Sequence, residues 1–407
     1  MLLSEGSSLT AREVVTCLGP AGYQLEVLDS DRLCIARFSR WVRRVHRCPP
    51  AAVDPTGYLA FLNRIVAERK IDAALPTHEQ AWLFAAAALS PSRVPVAVAD
   101  IAAFERVQSK LEFARLLDQL GLPQPQWTLV ADERDLEGLP FPYWLKAPFS
   151  TAGRGVRRVT DKHSRAAAVA AMLRQGCTSA MAQQPANGQY GQVQGLFDHG
   201  RLVAAHTSVQ TGTGLGPSAA ARLSVDHPLP RRDIATLGEA LNWHGGLTLD
   251  YFHTGGAPQY IECNPRTVEP ANAAASGVNI PELQVRLTLG AQLPSPPRTG
   301  RAGVRTHGTI ALLLGTAAYE GSRAAVLREL GRAISHHGHY AASHEQLTPV
   351  LRDPPSAAAL AFIVARVLAS PARATLLATN AINRYAITPE TIDALVATGA
   401  GRDTQAS

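Results

Sequence analysis

The stretch QYIECNPRTVEP, residues 259–270, places three kinds of polar side chain along one side of a short strand pattern. Glu262, Asn264 and Arg266 occupy every second position, so a strand presents all three on the same face. The acid and the amide offer oxygen atoms that suit a hard cation such as Mg²⁺. The guanidinium two residues further on can point at an anion that such a cation holds.

A second acid faces this strand in the predicted pairing. The HTGGAP segment, residues 253–258, has the composition of a turn, so the flanking residues are predicted to form a hairpin. A turn centred on Gly256 places Asp250 directly opposite Glu262, where two like charges repel unless a cation lies between them. A merely polar, solvated hairpin face on which Arg266 neutralises the acids is the alternative interpretation.

Two lysines stand out because lysine is rare in this chain. Of the 39 basic residues four are lysines, and Lys146 ends an apolar strand pattern directly before the small-residue segment FSTAGRG. Such a loop can close backbone N–H groups over phosphates, although an ordinary hairpin tip has the same composition. Lys110 borders the helical apolar stripe of Val107, Leu111 and Ala114, where a lysine either snorkels to solvent or meets an anion.

The order of these features resembles the ATP-grasp superfamily. It runs from a helical lysine to a lysine before a glycine loop, then the polar strand end AQQPANG, an acid, and IECNPR, which is similar to the family pattern E-x-N-x-R. The resemblance covers residues 1 to about 290. It implies a ligase of the carboxylate–amine type, related to biotin carboxylase and to the ATP-grasp domains of carbamoyl phosphate synthetase.

The resemblance also implies roles for individual residues. Arg266 and Lys146 become catalytic residues, and Asp250, Glu262 and Asn264 become metal ligands. Gln183 and Gln184 match the adenine hinge, and Tyr190 or Gln192 lies near the ribose position, where family members often carry an acid. A substrate contact is implied at Arg222, with a surface arginine as the alternative. Glu269 is a second implied substrate contact, with an acid near a helix N-terminus as the alternative. The implied ATP-binding residues are Lys110, Lys146, Phe149, Ser150, Thr151, Gly153, Gly155, Gln183, Gln184, Ala186 and Tyr190.

The activity that the resemblance implies uses ATP with Mg²⁺, or Mn²⁺ in its place. A carboxylate attacks the γ-phosphorus of ATP, and an amine then displaces phosphate from the acyl phosphate. The expected partners are therefore a small-molecule carboxylate and an amine, in small-molecule or natural-product biosynthesis, with a homodimer left open. ATP-dependent carboxylation or carbamoyl-phosphate-type chemistry is the first alternative, and a non-catalytic nucleotide-binding module is the second.

Composition restricts the class of protein. The chain has 407 residues, 46% of them hydrophobic and 18% charged, which favours packed cores over disorder. A net charge of +6 suggests acidic partners, but like charges form no long block and no nucleic acid or membrane partner is expected. Five scattered cysteines without CxxC spacing and the lack of a signal-peptide pattern favour a cytoplasmic protein.

The predicted fold is α/β, with four regions in chain order. Alternating strand and helix patterns over residues 1–105 predict a Rossmann-like domain with a parallel sheet. Residues 106–187 are expected to form the small lid subdomain of an ATP-grasp pair, and residues 188–295 the large subdomain with the metal-binding hairpin. Residues 296–407 are predicted to form a mostly helical C-terminal extension.

Overall fold

The computed structural model describes residues 1–87, 95–150, 153–216, 218–376 and 386–400. Its N-terminal region contains four short strands, Leu2–Leu3 (β1), Leu25–Asp29 (β2), Val42–Arg47 (β3) and Ala74–Leu75 (β4), which form a parallel sheet of order β3-β2-β1-β4. The helices of this region are Leu9–Leu18 (α1), Pro55–Arg69 (α2) and Gln80–Ala87 (α3). The predicted α/β class is therefore confirmed for this part of the chain.

Side-chain caps set where the first two helices begin. The Ser8 hydroxyl accepts a hydrogen bond from the Ala11 N–H at the start of α1. Asp54 does the same for the Gly57 N–H at the start of α2, where Pro55 occupies the first turn. Each cap satisfies a backbone donor that the helix itself leaves unpaired, so the strand-to-helix connections have defined geometry.

The second region carries a separate antiparallel sheet. Two helices, Ile101–Gln108 (α4) and Lys110–Leu120 (α5), lead into Trp127–Val130 (β5), Tyr143–Lys146 (β6), Val156–Val159 (β7), Lys162–Arg174 (α6) and Ala180–Gln183 (β8). The strands pair in the order β5-β8-β6-β7. The apolar stripe predicted across residues 107–117 is divided between α4 and α5, because Ser109 leaves helical geometry (ψ 125°) and caps α5 with its side chain.

The largest sheet is formed by the third region and completed by the fourth. Its strands are Gln189–Asp198 (β9), Arg201–Thr213 (β10), Ala219–Ser224 (β11), Gly245–His253 (β12), Gln259–Asn264 (β13), Arg298–Thr299 (β14), Arg305–His307 (β15) and Ser343–Glu345 (β16). The order is β13-β12-β9-β10-β11-β15-β16, with β14 pairing beside β10. Residues 296–407 thus contribute three strands to the sheet on which the candidate site lies.

Helices cover this sheet and fill the C-terminal region. They are Pro228–Ala240 (α7), Ala271–Ala275 (α8), Ile280–Thr288 (α9), Thr309–Glu320 (α10), Arg323–Ile334 (α11), Ser356–Ala369 (α12) and Pro389–Ala400 (α13). Helices predominate in the described part of residues 296–407, but three short strands of this region join the central sheet, which the prediction of a helical extension did not include. No helix in the described ranges has the length and apolar composition of a membrane-spanning segment.

The regions are joined by buried contacts. One apolar cluster continues from the N-terminal region into the central sheet and includes Trp82, Phe104, Trp243 and Tyr251. A fully buried ion pair of 2.6 Å joins Arg12 on α1 to Asp353 in the C-terminal region. Breaking one partner of such a pair leaves an uncompensated buried charge, so the pair fixes how these two regions meet.

Candidate functional site

The register of the β12–β13 hairpin is the one predicted from the turn. Asp250 pairs with Glu262, and Thr248 pairs with Asn264. A register shift follows between Asp250 and Tyr251, nearer the turn than the polar residues. Because residues that are directly opposite present their side chains on the same face, both carboxylates lie on one side of the sheet.

The polar face continues across the neighbouring strands. Gln192 on β9 pairs with Asp250, and its Nε2 atom donates to Asp250 Oδ1 at 3.1 Å. Gln194, two residues further, pairs with Thr248 and donates to Gln192 Oε1 at 2.8 Å. No role is predicted for Gln194 from the sequence, although the QVQ pattern places polar side chains at every second position of a buried strand, as IECN does.

The two carboxylates differ in their electrostatic surroundings. Burial, and next the charge of Glu262, raise the pKa of Asp250 to about 6. Burial also acts to raise the pKa of Glu262, but Lys110, Lys146 and Arg266 outweigh it and hold that pKa below its ordinary value. The paired carboxylates and the Asn264 side chain are an oxygen donor set that fits Mg²⁺, and a cation would relieve the charge repulsion at Asp250.

Lys110 lies in contact with the hairpin. It is 7% exposed, and its Nζ atom lies 2.8 Å from Glu262 Oε1 and 3.3 Å from the Ser150 carbonyl. The snorkelling alternative is therefore wrong, because the ammonium is buried and paired. Lys110 is also the first residue of α5, where a positive charge interacts unfavourably with the helix dipole. The ion pair with Glu262 and the Ser109 cap offset this cost.

Lys146 ends β6 and is buried beside the same hairpin. Its Nζ atom donates to Gln183 Oε1 at 2.6 Å and to the Ile261 carbonyl at 3.3 Å. Burial lowers the pKa of Lys146 to about 8, with Glu262 acting against the shift and Lys110 with it. Lys110 and Lys146, both singled out from the sequence, thus lie at one edge of the β12–β13 hairpin.

The glycine loop starts from a fixed aromatic contact. The Phe149 ring stacks on Trp82 at 5.5 Å between centroids, which anchors the start of the loop on the N-terminal region. Gly153 has φ +72°, where glycine avoids backbone strain, and a Cβ on Gly155 would lie 2.6 Å from the Ser150 Cβ, where glycine avoids a clash. Thr151, a predicted ATP contact, lies outside the described residues.

The predicted nucleotide hinge connects the antiparallel sheet of the second region to the central sheet. Gln183 ends β8, and the Gln184 N–H donates to the Gln126 carbonyl at 2.8 Å. Ala186 is partly buried in the segment between β8 and β9. Burial and then the Asp250 charge raise the pKa of Tyr190 well above its ordinary value. Tyr190 therefore lies close to Asp250, and its predicted ribose contact stays a prediction.

Arg266 follows β13 and is 9% exposed. Its backbone is fixed by two bonds, since its N–H donates to the Asn264 carbonyl at 2.7 Å and its carbonyl accepts from the Thr248 hydroxyl at 2.8 Å. Its Nε atom is buried without a hydrogen-bond partner among the described residues. The guanidinium therefore retains a donor for an anion next to Glu262.

The two predicted substrate contacts form an ion pair with each other. Arg222 on β11 lies 2.6 Å from Glu269 through its Nη2 atom and Oε2 of the acid. Arg222 is 5% exposed, so the surface-arginine alternative is wrong. Glu269 has φ +47°, a left-handed backbone conformation that few residues other than glycine adopt. Its carboxylate bonds to Arg222 and does not cap the helix α8 that follows.

Comparisons with known proteins bear on the fold. No family model matches the sequence, and no curated protein matches it. Among solved structures, an L-amino acid ligase from Bacillus licheniformis is 18% identical with a TM-score of 0.55, covering 71% of this chain and 73% of that one. A biotin carboxylase from Campylobacter jejuni is 17% identical with a TM-score of 0.57, covering 72% and 71%.

A third similar structure is the ADP complex of purK, N5-carboxyaminoimidazole ribonucleotide synthetase. It is 15% identical with a TM-score of 0.58, and the match covers 82% of this chain and 85% of that one. All three are ATP-grasp enzymes. Together with the arrangement of sheets described above, these likenesses show that the chain has the ATP-grasp fold.

Proposed function

We propose that the protein is an ATP- and Mg²⁺-dependent ligase that joins a carboxylate to an amine and releases ADP and phosphate. The observation that carries the proposal is the convergence of Lys110 and Lys146 on one edge of the Asp250–Glu262 pair. Two buried cations beside two carboxylates form a site that suits a polyphosphate chelated by a divalent cation. A merely solvated polar face does not explain why both lysines are buried.

In this proposal the lysines bind the phosphates of ATP. Lys110 and Lys146 neutralise charge on the transferring phosphoryl group, while backbone N–H groups of Ser150 and of residues 153–156 close above it. A bound Mg²⁺, held by Asp250, Glu262 and Asn264, would clamp the phosphate oxygens and withdraw charge from them. These residues are held by the sheet register and by the Gln192 and Thr248 contacts, so little reorganisation is needed.

The proposed reaction needs no reactant besides ATP, the carboxylate and the amine. A carboxylate oxygen of the substrate attacks the γ-phosphorus, the bond from phosphorus to the ADP oxygen breaks, and an acyl phosphate forms. The amine nitrogen, as the free base, then attacks the acyl carbon, the C–O bond to phosphate breaks, and the proton that the nitrogen loses passes to the departing phosphate. Arg266, with a free Nε donor beside the hairpin, stabilises the oxyanion that develops on the acyl carbon.

The test is a phosphate-release screen of carboxylates against amines with ATP and Mg²⁺. A productive pair is expected to yield one ADP and one phosphate for each amide formed, and Glu262→Gln is expected to yield none. Bicarbonate in place of the organic acid examines the carboxylation alternative in the same assay. Tight binding of ATP without product or phosphate from any pair, bicarbonate included, would favour the binding-module alternative over the ligase.

A further inference from the structure

Three side chains that can bind a metal ion lie together at the end of β9 and the start of β12. Asp198 ends β9, His199 follows it in the turn to β10, and His244 directly precedes β12. One ligand atom from each side chain lies within 4.8 Å of the other two. Along β9 and β12 this cluster is ~20 Å from Gln192 and Asp250, at about 3.3 Å per residue, so it is separate from the β12–β13 hairpin.

The turn between β9 and β10 has a histidine where asparagine or glycine is usual. Asp198 pairs with Arg201, so His199 and Gly200 are the two central residues of the turn. Both have a positive φ, +46° and +80°, as a type I′ turn requires, and Asn-Gly is the favoured sequence there. Formation of the turn alone therefore does not explain the choice of histidine.

The turn is fixed against the segment that carries His244. The Gly200 N–H donates to the carbonyl of the buried Trp243 at 2.7 Å. A Cβ on Gly200 would lie 3.5 Å from the Cα atoms of Glu239 and Asn242, so the turn packs on the C-terminal end of α7. The dipole of a helix favours a cation at that end.

Two atoms of the cluster face each other without a hydrogen bond. His244 Nδ1 is buried and has no hydrogen-bond partner among the described residues. It lies 3.8 Å from Asp198 Oδ1, which is too far for a hydrogen bond. Two ligand atoms on one tetrahedral zinc ion, with bonds of about 2.0–2.1 Å, are ~3.4 Å apart, so a small shift would let both atoms bind one ion. The other oxygen of Asp198 pairs with the half-exposed Arg201 at 2.9 Å.

The two imidazoles lie side by side. The rings of His199 and His244 stack at 4.2 Å between centroids. Because His199 is exposed, rotation about its side-chain bonds can turn a ring nitrogen toward the space between Asp198 and His244. Burial, and next the charge of His199, lower the pKa of His244, while Asp198 acts against that shift. A neutral imidazole is the form that binds a metal.

We infer that Asp198, His199 and His244 bind a divalent transition-metal ion such as Zn²⁺. Two imidazole nitrogens and one carboxylate oxygen are ligands that Zn²⁺ takes in tetrahedral sites, and water can take the fourth position on the exposed side. Mg²⁺ prefers oxygen ligands, so it does not compete well for this site. The ion would join the β9–β10 turn to the segment between α7 and β12 and would stabilise the folded state.

The first test is a calorimetric titration of the full wild-type chain with Zn²⁺, in the presence of excess Mg²⁺ to compete for the β12–β13 hairpin. We expect one zinc ion to bind at micromolar concentration and to raise the melting temperature. His244→Gln should weaken this binding at least ~10-fold, because even the loss of an outer partner of a metal ligand costs about 10–100-fold. No zinc binding by the wild type, or unchanged binding in His244→Gln, would overturn the inference.

His199→Asn separates a metal ligand from a turn-forming residue. Asparagine suits the left-handed turn position at least as well as histidine, so without zinc this variant should be as stable as the wild type or more stable. It should nevertheless lose the zinc-dependent rise in melting temperature, because it has no imidazole. A full response to zinc in His199→Asn would leave His199 a turn residue and contradict the three-ligand site.

Two control variants locate the bound ion. His163→Gln removes an exposed histidine of α6, and Asp250→Asn removes a carboxylate of the β12–β13 hairpin. Both should bind zinc as the wild type does. Loss of binding in Asp250→Asn together with full binding in His244→Gln would assign the ion to the hairpin and overturn the inference. Zinc binding is measured without ATP or substrate, so its result does not depend on whether the protein is a ligase.

Discussion

Lys110 and Glu262 form an ion pair of 2.8 Å that joins the start of helix α5 to the β12–β13 hairpin. The lysine is buried and the acid is 38% exposed on its side chain, so the pair lies at the inner wall of the site. Because Lys110 Nζ also bonds to the Ser150 carbonyl at 3.3 Å, the pair joins the hairpin to the segment that follows β6 as well.

The first prediction concerns Glu262→Gln. We expect Mg²⁺-dependent ATP turnover to be abolished while the fold is retained, because the hairpin loses a charged ligand but keeps its shape. Lys110 also loses its partner, and because Glu262 is partly exposed the loss of stability should stay within about 1–3 kcal/mol. Turnover is measured by phosphate release and stability by urea unfolding. The control is Glu112→Gln, which removes an exposed acid from α5, the helix that carries Lys110. Unchanged turnover in Glu262→Gln would refute the metal assignment.

The second prediction is that Asp250→Asn stabilises the nucleotide-free protein while abolishing turnover. The pKa of Asp250 is raised to about 6, so the folded state binds more protons than the unfolded state between about pH 4 and pH 6. Ionised Asp250 therefore destabilises the fold above pH 6, and the substitution removes a cost on the order of 1–3 kcal/mol. Urea unfolding at pH 7 should show the gain and at pH 4 should show little of it. A loss of stability at pH 7 would contradict this electrostatic account.

Much of the site could be predicted from sequence, because the hairpin is local. Alternation with a period of two sets which face each side chain occupies, and a turn centred on Gly256 gives the Asp250–Glu262 pairing; the bulge between Asp250 and Tyr251, which shifts the pairs nearer the turn, does not follow from this pattern. Lys110 and Lys146 could be selected from the sequence because lysine is rare among the basic residues of this chain.

Other features depend on contacts between distant parts of the chain. Arg12 and Asp353 form a buried ion pair although they are 341 residues apart in the sequence, and no periodicity connects such positions. The pairing of β14, β15 and β16 with the central sheet could not be predicted either, because strands of two or three residues are too short to show a hydrophobic periodicity. The division between α4 and α5 at Ser109 was missed because the apolar stripe continues through it.

The third prediction is a pH dependence of nucleotide affinity that arises from Lys146. Burial lowers the pKa of this lysine to about 8, so it loses its charge well below the ordinary range of lysine. A neutral amine does not offset phosphate charge, and the affinity for ATP·Mg²⁺ should therefore fall as the pH rises from 7 to 9. Calorimetry across that range measures it. Lys146→Arg, which stays charged, should show weaker affinity with a flatter profile; an equally steep fall in that variant would assign the titration to another group.

The fourth prediction concerns the start of the glycine loop. Phe149 stacks on Trp82, so its backbone should be protected from hydrogen exchange with and without a non-hydrolysable ATP analogue. The part beyond it, at Gly153 to Val156, should gain protection on nucleotide binding, as expected for a lid. Phe149→Ala should raise exchange at the loop start and weaken nucleotide protection, while Phe149→Leu keeps most apolar contact. Equal exchange of residues 153–156 with and without the analogue would exclude the lid role.

The last prediction separates a catalytic role of Arg266 from a structural one. The guanidinium lies near Glu262 and has a buried Nε atom without a partner among the described residues. If Arg266 only neutralises the acids, Arg266→Lys should retain most activity, because the positive charge remains. If it stabilises the oxyanion on the acyl carbon, its contact strengthens in the transition state, and kcat should fall far more than nucleotide affinity.

We expect the second outcome. Loss of a transition-state donor costs on the order of 10²–10³ in rate, and lysine lacks the planar fork that holds two oxygens at once. Arg266→Lys should therefore bind ATP·Mg²⁺ nearly as the wild type does and form product at least ~10²-fold more slowly. Calorimetry gives the affinity and a coupled assay gives kcat on a productive substrate pair. The control is Arg301→Lys, which removes the guanidinium of an exposed arginine whose Nε donates to the Ser276 carbonyl. A kcat near that of the wild type in Arg266→Lys would leave this residue a counter-ion and would favour a nucleotide-binding module over a ligase.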